Sequence, residues 1–273
     1  MFSSFMVNTW LAGSVIAVLA GVVGFFVVAR GASFAAHALP VGAFPGAAAA
    51  LLLGTSTLGG LVAFTAVGVA GITWIGRNAR RDVATALALV VLLGLGALFL
   101  SMTSEYAPEV ESLLFGQILG VSSSEVAFLV LLAALCLVSI GVTFRPLLLT
   151  SVDEGLGHAL GISPRRADLV FLAILGLATA MAVPVVGTLL VFTLMVGPAA
   201  AAQLVSPRPS VALVLSTVLA VTTVWSAVAL SYSSGWPVGF FVGAIAALVY
   251  VAARLATAQS SRASRHTPIS QPG

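Results

Sequence analysis

Long apolar stretches separated by short polar interruptions dominate this sequence. A helix needs about 20 apolar residues to cross roughly 30 Å of hydrocarbon, and nine stretches come close to that length. We therefore predict nine membrane-spanning helices, near residues 8–29, 34–54, 57–76, 83–103, 124–144, 166–183, 185–204, 210–231 and 237–256. The second and third stretches meet at residues 54–56, and the sixth and seventh meet at Pro184. One of these pairs could instead form a broken or re-entrant helix.

The long polar interruption over residues 151–168 carries helix signals of its own. Ser151 and Glu154 match the S-x-x-E capping box that begins a helix, and Gly161 followed closely by a proline is a stop signal. These signals predict a helix over about residues 152–160, roughly 13 Å long. Such a helix is too short to cross a bilayer.

A second start signal follows at once. Ser163 suits the position before a helix, and Pro164 suits the first position inside it, where the missing N–H is not needed. Arg165 and Arg166 then lie at the start of the next apolar stretch. A short helix held between two spans and next to arginines is expected to lie on the cytoplasmic surface.

Composition sets the class of protein. Of the 273 residues, 60% are hydrophobic and 7% are charged, and the mean hydropathy is +1.18, which leaves too few polar residues to cover a soluble core. We expect an all-α polytopic membrane protein with one transmembrane domain over residues 1–257 and a disordered cytoplasmic tail over residues 258–273. The 11 basic residues are all arginine, so the chain has no P-loop lysine and cannot itself be a P-loop ATPase.

The arginines predict the orientation. With nine spans, all 11 fall on the same side of the membrane, and the positive-inside rule makes that side the cytoplasm. The C-terminus is then cytoplasmic and the N-terminus outside, in a multi-pass protein of the cell membrane. The longest loop on the outer side carries three carboxylates, Glu105, Glu109 and Glu111.

Four stretches carry a pattern beyond hydrophobicity. They are VVARGASFAAHALPVGAFPG at residues 27–46, LFGQILGVS at 114–122, DEGLGHALGISPRRADLVF at 153–171, and VVGTLLV at 185–191 with PAAAA at 198–202. In order and spacing, these stretches resemble the permeases of the zinc, manganese and iron-type ABC importers. The resemblance covers most of the chain.

This resemblance implies a type II ABC importer-like fold and a permease that moves a divalent transition-metal ion, Zn, Mn or Fe, into the cell. It also implies partners: a separate cytoplasmic ATPase subunit, a second permease copy or a paralogue, and an extracellular or periplasmic solute-binding protein, with no nucleic acid. The chain would not be an enzyme, because ATP hydrolysis would belong to the ATPase subunit. It would carry no covalently bound cofactor.

The resemblance also suggests sites. In that family the short cytoplasmic helix docks into a cleft on the ATPase subunit. Carried onto this chain, the coupling residues are Asp153, Glu154, His158, Ala159, Leu160, Gly161 and Arg165. The three outer-loop carboxylates are candidates for docking the binding protein, or they simply form a solvated loop.

The first motif departs from the family at positions that matter for metal. An ungapped alignment puts His37 where the family usually has Asp, and Val41 where it usually has His. Because imidazole suits divalent transition metals, His37 is a candidate metal ligand and, with Pro45, a candidate for the transport path. The alternative is a histidine near a helix end that only reaches the membrane interface.

Other functions stay open at this point. A similar permease could carry a siderophore or a vitamin complex, although such permeases usually have longer chains. An ATP-independent secondary transporter is expected to hold several ionisable groups within its spans, and here His37 is almost alone. A membrane enzyme would need a catalytic motif, and neither H-E-x-x-H nor G-x-S-x-G occurs.

Overall fold

The computed structural model describes residues 4–77, 80–102 and 121–265. Over these residues the secondary structure is helical, without a β-strand. The helices are α1 (Ser4–Ala29), α2 (Ser33–Leu53), α3 (Thr57–Ile75), α4 (Arg81–Ser101), α5 (Ser123–Val152), α6 (Glu154–Ala159), α7 (Pro164–Val186), α8 (Thr188–Val205), α9 (Pro209–Ser234) and α10 (Val238–Arg265). All of them except α6 correspond to predicted spans, which confirms the all-α fold.

The structure is close to the predicted nine spans. Within its described residues, eight helices are long and apolar enough to cross a membrane. The remaining one, α8, has 18 residues and is therefore about 27 Å long. α7 and α8 meet at Gly187, whose φ of 88° is a conformation that favours glycine. Pro184 lies inside α7, so the predicted break at that proline is slightly too early.

Two helices run further than predicted. α5 does not end near residue 144 but continues through Pro146 to Val152. A proline removes one helical hydrogen bond, and membrane helices tolerate this loss when neighbouring helices and side chains supply other partners. α10 continues to Arg265, into the segment that the sequence assigned to the tail.

The predicted capping box of the short helix is wrong. Ser151 lies inside α5, where its hydroxyl donates to the carbonyl oxygen of Leu148 at 2.7 Å. Asp153 caps α6 instead, because its carboxylate accepts from two N–H groups of the first helical turn. A carboxylate at this position also gains from the positive end of the helix dipole. α6 is therefore shorter than predicted and begins at Glu154.

α1 lies at the centre of the bundle, packed against α5, α8 and α9. α2, α3 and α4 pack against one another as a second group, and α7 contacts both groups. In the second group, α2 and α3 cross closely where Gly46 meets Gly60. A Cβ on either glycine would lie 2.0 Å from the carbonyl oxygen of the other. Glycines at a crossing allow membrane helices this close approach.

Contacts near the start of α1 show in which direction its neighbours run. Near its start, the Asn8 amide donates to the Ser123 hydroxyl at the start of α5 at 3.1 Å. Close by, the Trp10 and Trp225 rings are 6.0 Å apart, and Trp225 lies late in α9. α5 is therefore parallel to α1 and α9 is antiparallel. Both directions agree with the alternation that nine spans require.

Candidate coupling junction and transport path

Arg30 is buried where three helices meet. It follows α1, and 4% of its side chain is exposed. Nη1 donates to the Leu147 carbonyl oxygen at 2.7 Å and to the Thr150 hydroxyl at 2.9 Å. Nη2 donates to the Asp168 carboxylate at 2.5 Å, and the guanidinium lies 5.5 Å from the centre of the Phe171 ring. The charge is thus paired and hydrogen-bonded, as a buried charge requires.

A tight turn connects Arg30 to α2. Gly31 has a φ of 63°, which glycine adopts without steric cost. The N–H of Ala32 donates to the Val27 carbonyl oxygen at 2.8 Å. This is the hydrogen bond of a Schellman motif that reaches back five residues. α2 begins directly after this turn, so a compact connection joins Arg30 to the helix that carries His37.

α6 packs against the end of α5. Its buried residue Gly157 lies so close to Thr150 that a Cβ there would approach the Thr150 methyl group to 2.9 Å. The segment ends at Gly161, which has a φ of 74°, and the Ile162 N–H donates back to the Gly157 carbonyl oxygen at 2.9 Å. The predicted stop at Gly161 and the start of the next helix at Pro164 are confirmed.

The other side of this segment is exposed. The exposed residues include the predicted coupling residues Asp153, His158, Ala159, Leu160, Gly161 and Arg165. Three apolar side chains are open as well: Val152, Leu156 and Leu160 are 76%, 44% and 59% exposed. Glu154 is the first residue of α6, and its side chain lies outside the described part of the structure. Exposed apolar side chains beside carboxylates and arginines are typical of a protein contact surface.

His37 lies in the second turn of α2 and is half-buried. Its ring meets Phe192 of α8 in a near edge-to-face arrangement, with 5.1 Å between the ring centres. The Nδ1 atom is buried and has no hydrogen-bond partner within the described residues. A buried polar atom without a partner costs about 1–3 kcal/mol, a cost that a ligand or a water molecule would relieve.

Val41 and Pro45 follow His37 at intervals of four residues, which places all three on one face of α2. Val41 is half-buried and Pro45 is buried. No group of three His, Cys, Asp or Glu side chains comes together in the described residues. Within the described part of the chain, His37 therefore does not belong to a cluster of three such side chains.

The outer-loop carboxylates Glu105, Glu109 and Glu111 lie outside the described residues. Most of the LFGQILGVS motif does as well. Their role in docking a binding protein stays a prediction.

Sequence reasoning did not assign a role to the contact between Arg30 and Asp168. It used Arg30 to orient the chain and Asp168 as one letter of a motif. A signal was present, because each residue lies in a stretch that resembles the same family. The pairing itself joins residues far apart in sequence and is visible only in the fold.

Comparisons with known proteins cover nearly the whole chain. The ABC 3 transport family matches residues 2–257. The manganese import system permease protein ScaB of Streptococcus gordonii is 28% identical over 249 residues, which cover 90% of this chain and 89% of ScaB. The chelated iron transport system membrane protein YfeC of Yersinia pestis is 26% identical, in an alignment that covers 98% of this chain and 95% of YfeC.

A solved structure shares the fold. PsaBC from Streptococcus pneumoniae, determined in complex with a Fab, matches with a TM-score of 0.81 and 27% sequence identity. The match covers 91% of this chain and 90% of the PsaBC chain. The whole helical bundle is therefore shared, and not a fragment of it.

Proposed function

This chain belongs to the ABC 3 transport family, and from this premise we propose that it is the membrane-spanning permease of an importer for a divalent transition-metal ion. The observation that carries the proposal is the family match over residues 2–257. Relatives of similar length are named for manganese import and for chelated iron transport. Manganese is therefore the first cargo to test, followed by iron and zinc.

The energy for transport would come from a separate cytoplasmic ATPase subunit, because this chain has no lysine and hence no P-loop. The exposed apolar side chains of Val152, Leu156 and Leu160 belong to the surface that such a subunit would cover. We assign the same contact to the neighbouring coupling residues. A solute-binding protein would deliver the ion from outside, and a second permease copy or a paralogue would complete the central path.

A charge on the coupling surface tests this contact. Ala159→Arg is expected to abolish uptake while membrane insertion stays normal, because the exposed segment lies outside the hydrocarbon. The matched control, Gln259→Arg, adds the same charge at an exposed position near the end of α10 and is expected to transport normally. If Ala159→Arg shows normal uptake and normal co-purification of the ATPase subunit, the coupling assignment is wrong.

His37 is proposed to face the path of the ion. Its Nδ1 has no partner among the described residues, and neutral imidazole is a good ligand for transition metals. A single ligand gives a weak site, and conduction requires binding weak enough for the ion to leave. Alternating access would expose this site first to the outside and then to the cytoplasm.

The orientation follows from the one-sided arginines and is tested by cysteine labelling, after the native Cys136 has been replaced. Labels at positions 104 and 234 are expected to react from outside. Labels at positions 78 and 260 are expected to react only after the membrane is permeabilised. Labelling of position 78 from outside would overturn the topology with a cytoplasmic C-terminus.

The cargo is tested in a strain that lacks the gene. Deletion is expected to lower uptake of Mn, Zn or Fe, and the wild-type chain is expected to restore it, with competition among the three metals showing the preference. If uptake of all three metals is unchanged while uptake of a siderophore or vitamin complex is lost, the chain is a permease for that other class of substrate.

A further inference from the structure

The Arg30 side chain binds the chain on both sides of the coupling segment, residues 153–165. Thr150 lies just before the segment, near the end of α5, and Asp168 lies just after it, in the second turn of α7. Arg30 donates hydrogen bonds to both, at 2.9 Å and 2.5 Å. The places where the chain leaves and re-enters the bundle are therefore held together by a residue of α1's C-terminal turn.

The contacts form a continuous path from α6 to α2. Gly157 of α6 packs against the methyl group of Thr150. The Thr150 hydroxyl donates its proton to the Pro146 carbonyl oxygen at 2.8 Å, which leaves a lone pair to accept from Arg30. Arg30 in turn begins the tight turn into α2. A displacement of α6 thus meets atoms in van der Waals or hydrogen-bond contact at every step to the helix that carries His37.

The guanidinium suits a fixed linkage. It is planar, so its donors point in set directions, and a lysine ammonium in the same place would act as a single point of charge. Only 4% of the Arg30 side chain is exposed, and Phe171, itself buried, lies beside the guanidinium. Water therefore has little access to replace any of the three hydrogen bonds.

We propose that Arg30 is the positioning residue that passes the movement of α6 to α2. The proposal rests on the proposed function, since it gives Arg30 its role within the ATP-driven importer. If Arg30 were merely a structural ion pair, its replacement would lower the amount of folded complex. Replacing a positioning residue would also weaken the movement of α2, while the complex that does fold still hydrolyses ATP.

The test uses the permease purified with its ATPase subunit in lipid nanodiscs. Cys136 is replaced by alanine, and Val41→Cys supplies a reporter thiol on α2, one turn beyond His37. The rate at which this reporter thiol reacts with a small thiol reagent is compared without nucleotide and with ATP and vanadate. Arg30→Lys is compared with Arg145→Lys, the matched change at an exposed arginine of α5.

In the wild-type background and in Arg145→Lys, ATP and vanadate are expected to change the labelling rate of the reporter thiol. In Arg30→Lys, ATP hydrolysis is expected to stay within about twofold of wild type, while the change in labelling falls by about fivefold or more because the fork of donors is gone. An Arg30→Lys response equal to wild type would overturn the proposal.

Gly157→Ala keeps the test decisive if Arg30→Lys does not fold. The added methyl group would meet the Thr150 methyl group and leaves Arg30 intact. The proposal predicts a weakened response of the reporter thiol at retained ATP hydrolysis, and an unchanged response would contradict it.

The cargo and the role of Arg30 are tested separately. If a complex with native Arg30 moves no metal but its reporter thiol still responds to ATP, the metal cargo is refuted and the role of Arg30 is not.

Discussion

Arg30 and His37 are close in sequence, on either side of one tight turn, yet they are held in opposite ways. The guanidinium of Arg30 is buried, donates three hydrogen bonds to two helices and contacts a phenylalanine ring. The ring of His37 is half-buried, rests on Phe192, and keeps a buried Nδ1 without a partner in the described residues.

This difference separates two tasks. A side chain held by three hydrogen bonds and an ion pair fixes the geometry around it, and a cationic guanidinium has no acceptor to offer a metal ion. A side chain with an unused nitrogen carries a desolvation cost that a ligand can relieve. We therefore interpret Arg30 as part of the mechanical connection and His37 as part of the transport path.

The largest expected effect is on stability. Arg30→Met is expected to lower the free energy of unfolding by about 3 kcal/mol, because removing one partner of a buried ion pair leaves the other without its match. This value is at the low end of the usual range since Asp168 is partly exposed, with 21% of its side chain open. Unfolding in mixed micelles measures it.

Two control variants define the comparison. His37→Ala and the exposed-site change Arg145→Met are each expected to stay within about 1 kcal/mol of wild type, because neither removes a charged partner from the interior. If Arg30→Met is no less stable than Arg145→Met, Arg30 does not hold the junction in the way described here.

A smaller effect is expected where α2 is held by packing. Gly46→Ala is expected to cost about 1–3 kcal/mol, because the new methyl group would lie 2.0 Å from the Gly60 carbonyl oxygen. Gly94→Ala is the matched control, since a Cβ there meets nothing within 4 Å. Equal stability of the two variants would show that α2 is not fixed against α3 at this crossing.

The next effect is on the affinity for the ion. Val41→His adds an imidazole one turn beyond His37, on the same face of α2. A second ligand is expected to tighten metal binding several-fold and to slow release, so uptake should saturate at lower metal concentration with a lower maximal rate. Val41→Leu is the control for side-chain size. An unchanged uptake curve for Val41→His would place this face of α2 away from the ion.

Much of the fold could be predicted from the sequence, because long apolar stretches indicate where the spans lie along the chain. The details at helix ends depended on competition between nearby residues. The sequence S-x-x-E occurs twice. At Ser122 and Glu125 it forms a reciprocal capping box. At Ser151 it does not, because the intervening Asp153 accepts from the first-turn N–H groups of α6 and the serine lies inside α5.

The candidate site was harder to predict, for a physical reason. Motif resemblance pointed to His37 and to the coupling segment, both of which are local in sequence. The contact of Arg30 with Asp168 depends on three helices packing in one arrangement, and a linear pattern does not state which distant residues meet. That the described residues leave His37 Nδ1 without a hydrogen-bond partner is likewise a property of its neighbours in the fold.

The most direct test of whether the two side chains have different roles is metal competition in a strain that lacks the gene. Uptake of manganese in the presence of zinc or iron is measured for wild type, Arg30→Lys, His37→Ala and His37→Asp at matched protein levels. We expect Arg30→Lys to lower uptake of every metal equally, with the wild-type preference, and the His37 variants to change the preference itself. If His37→Ala transports like wild type with unchanged metal preference, His37 is an interfacial histidine and the ion passes elsewhere.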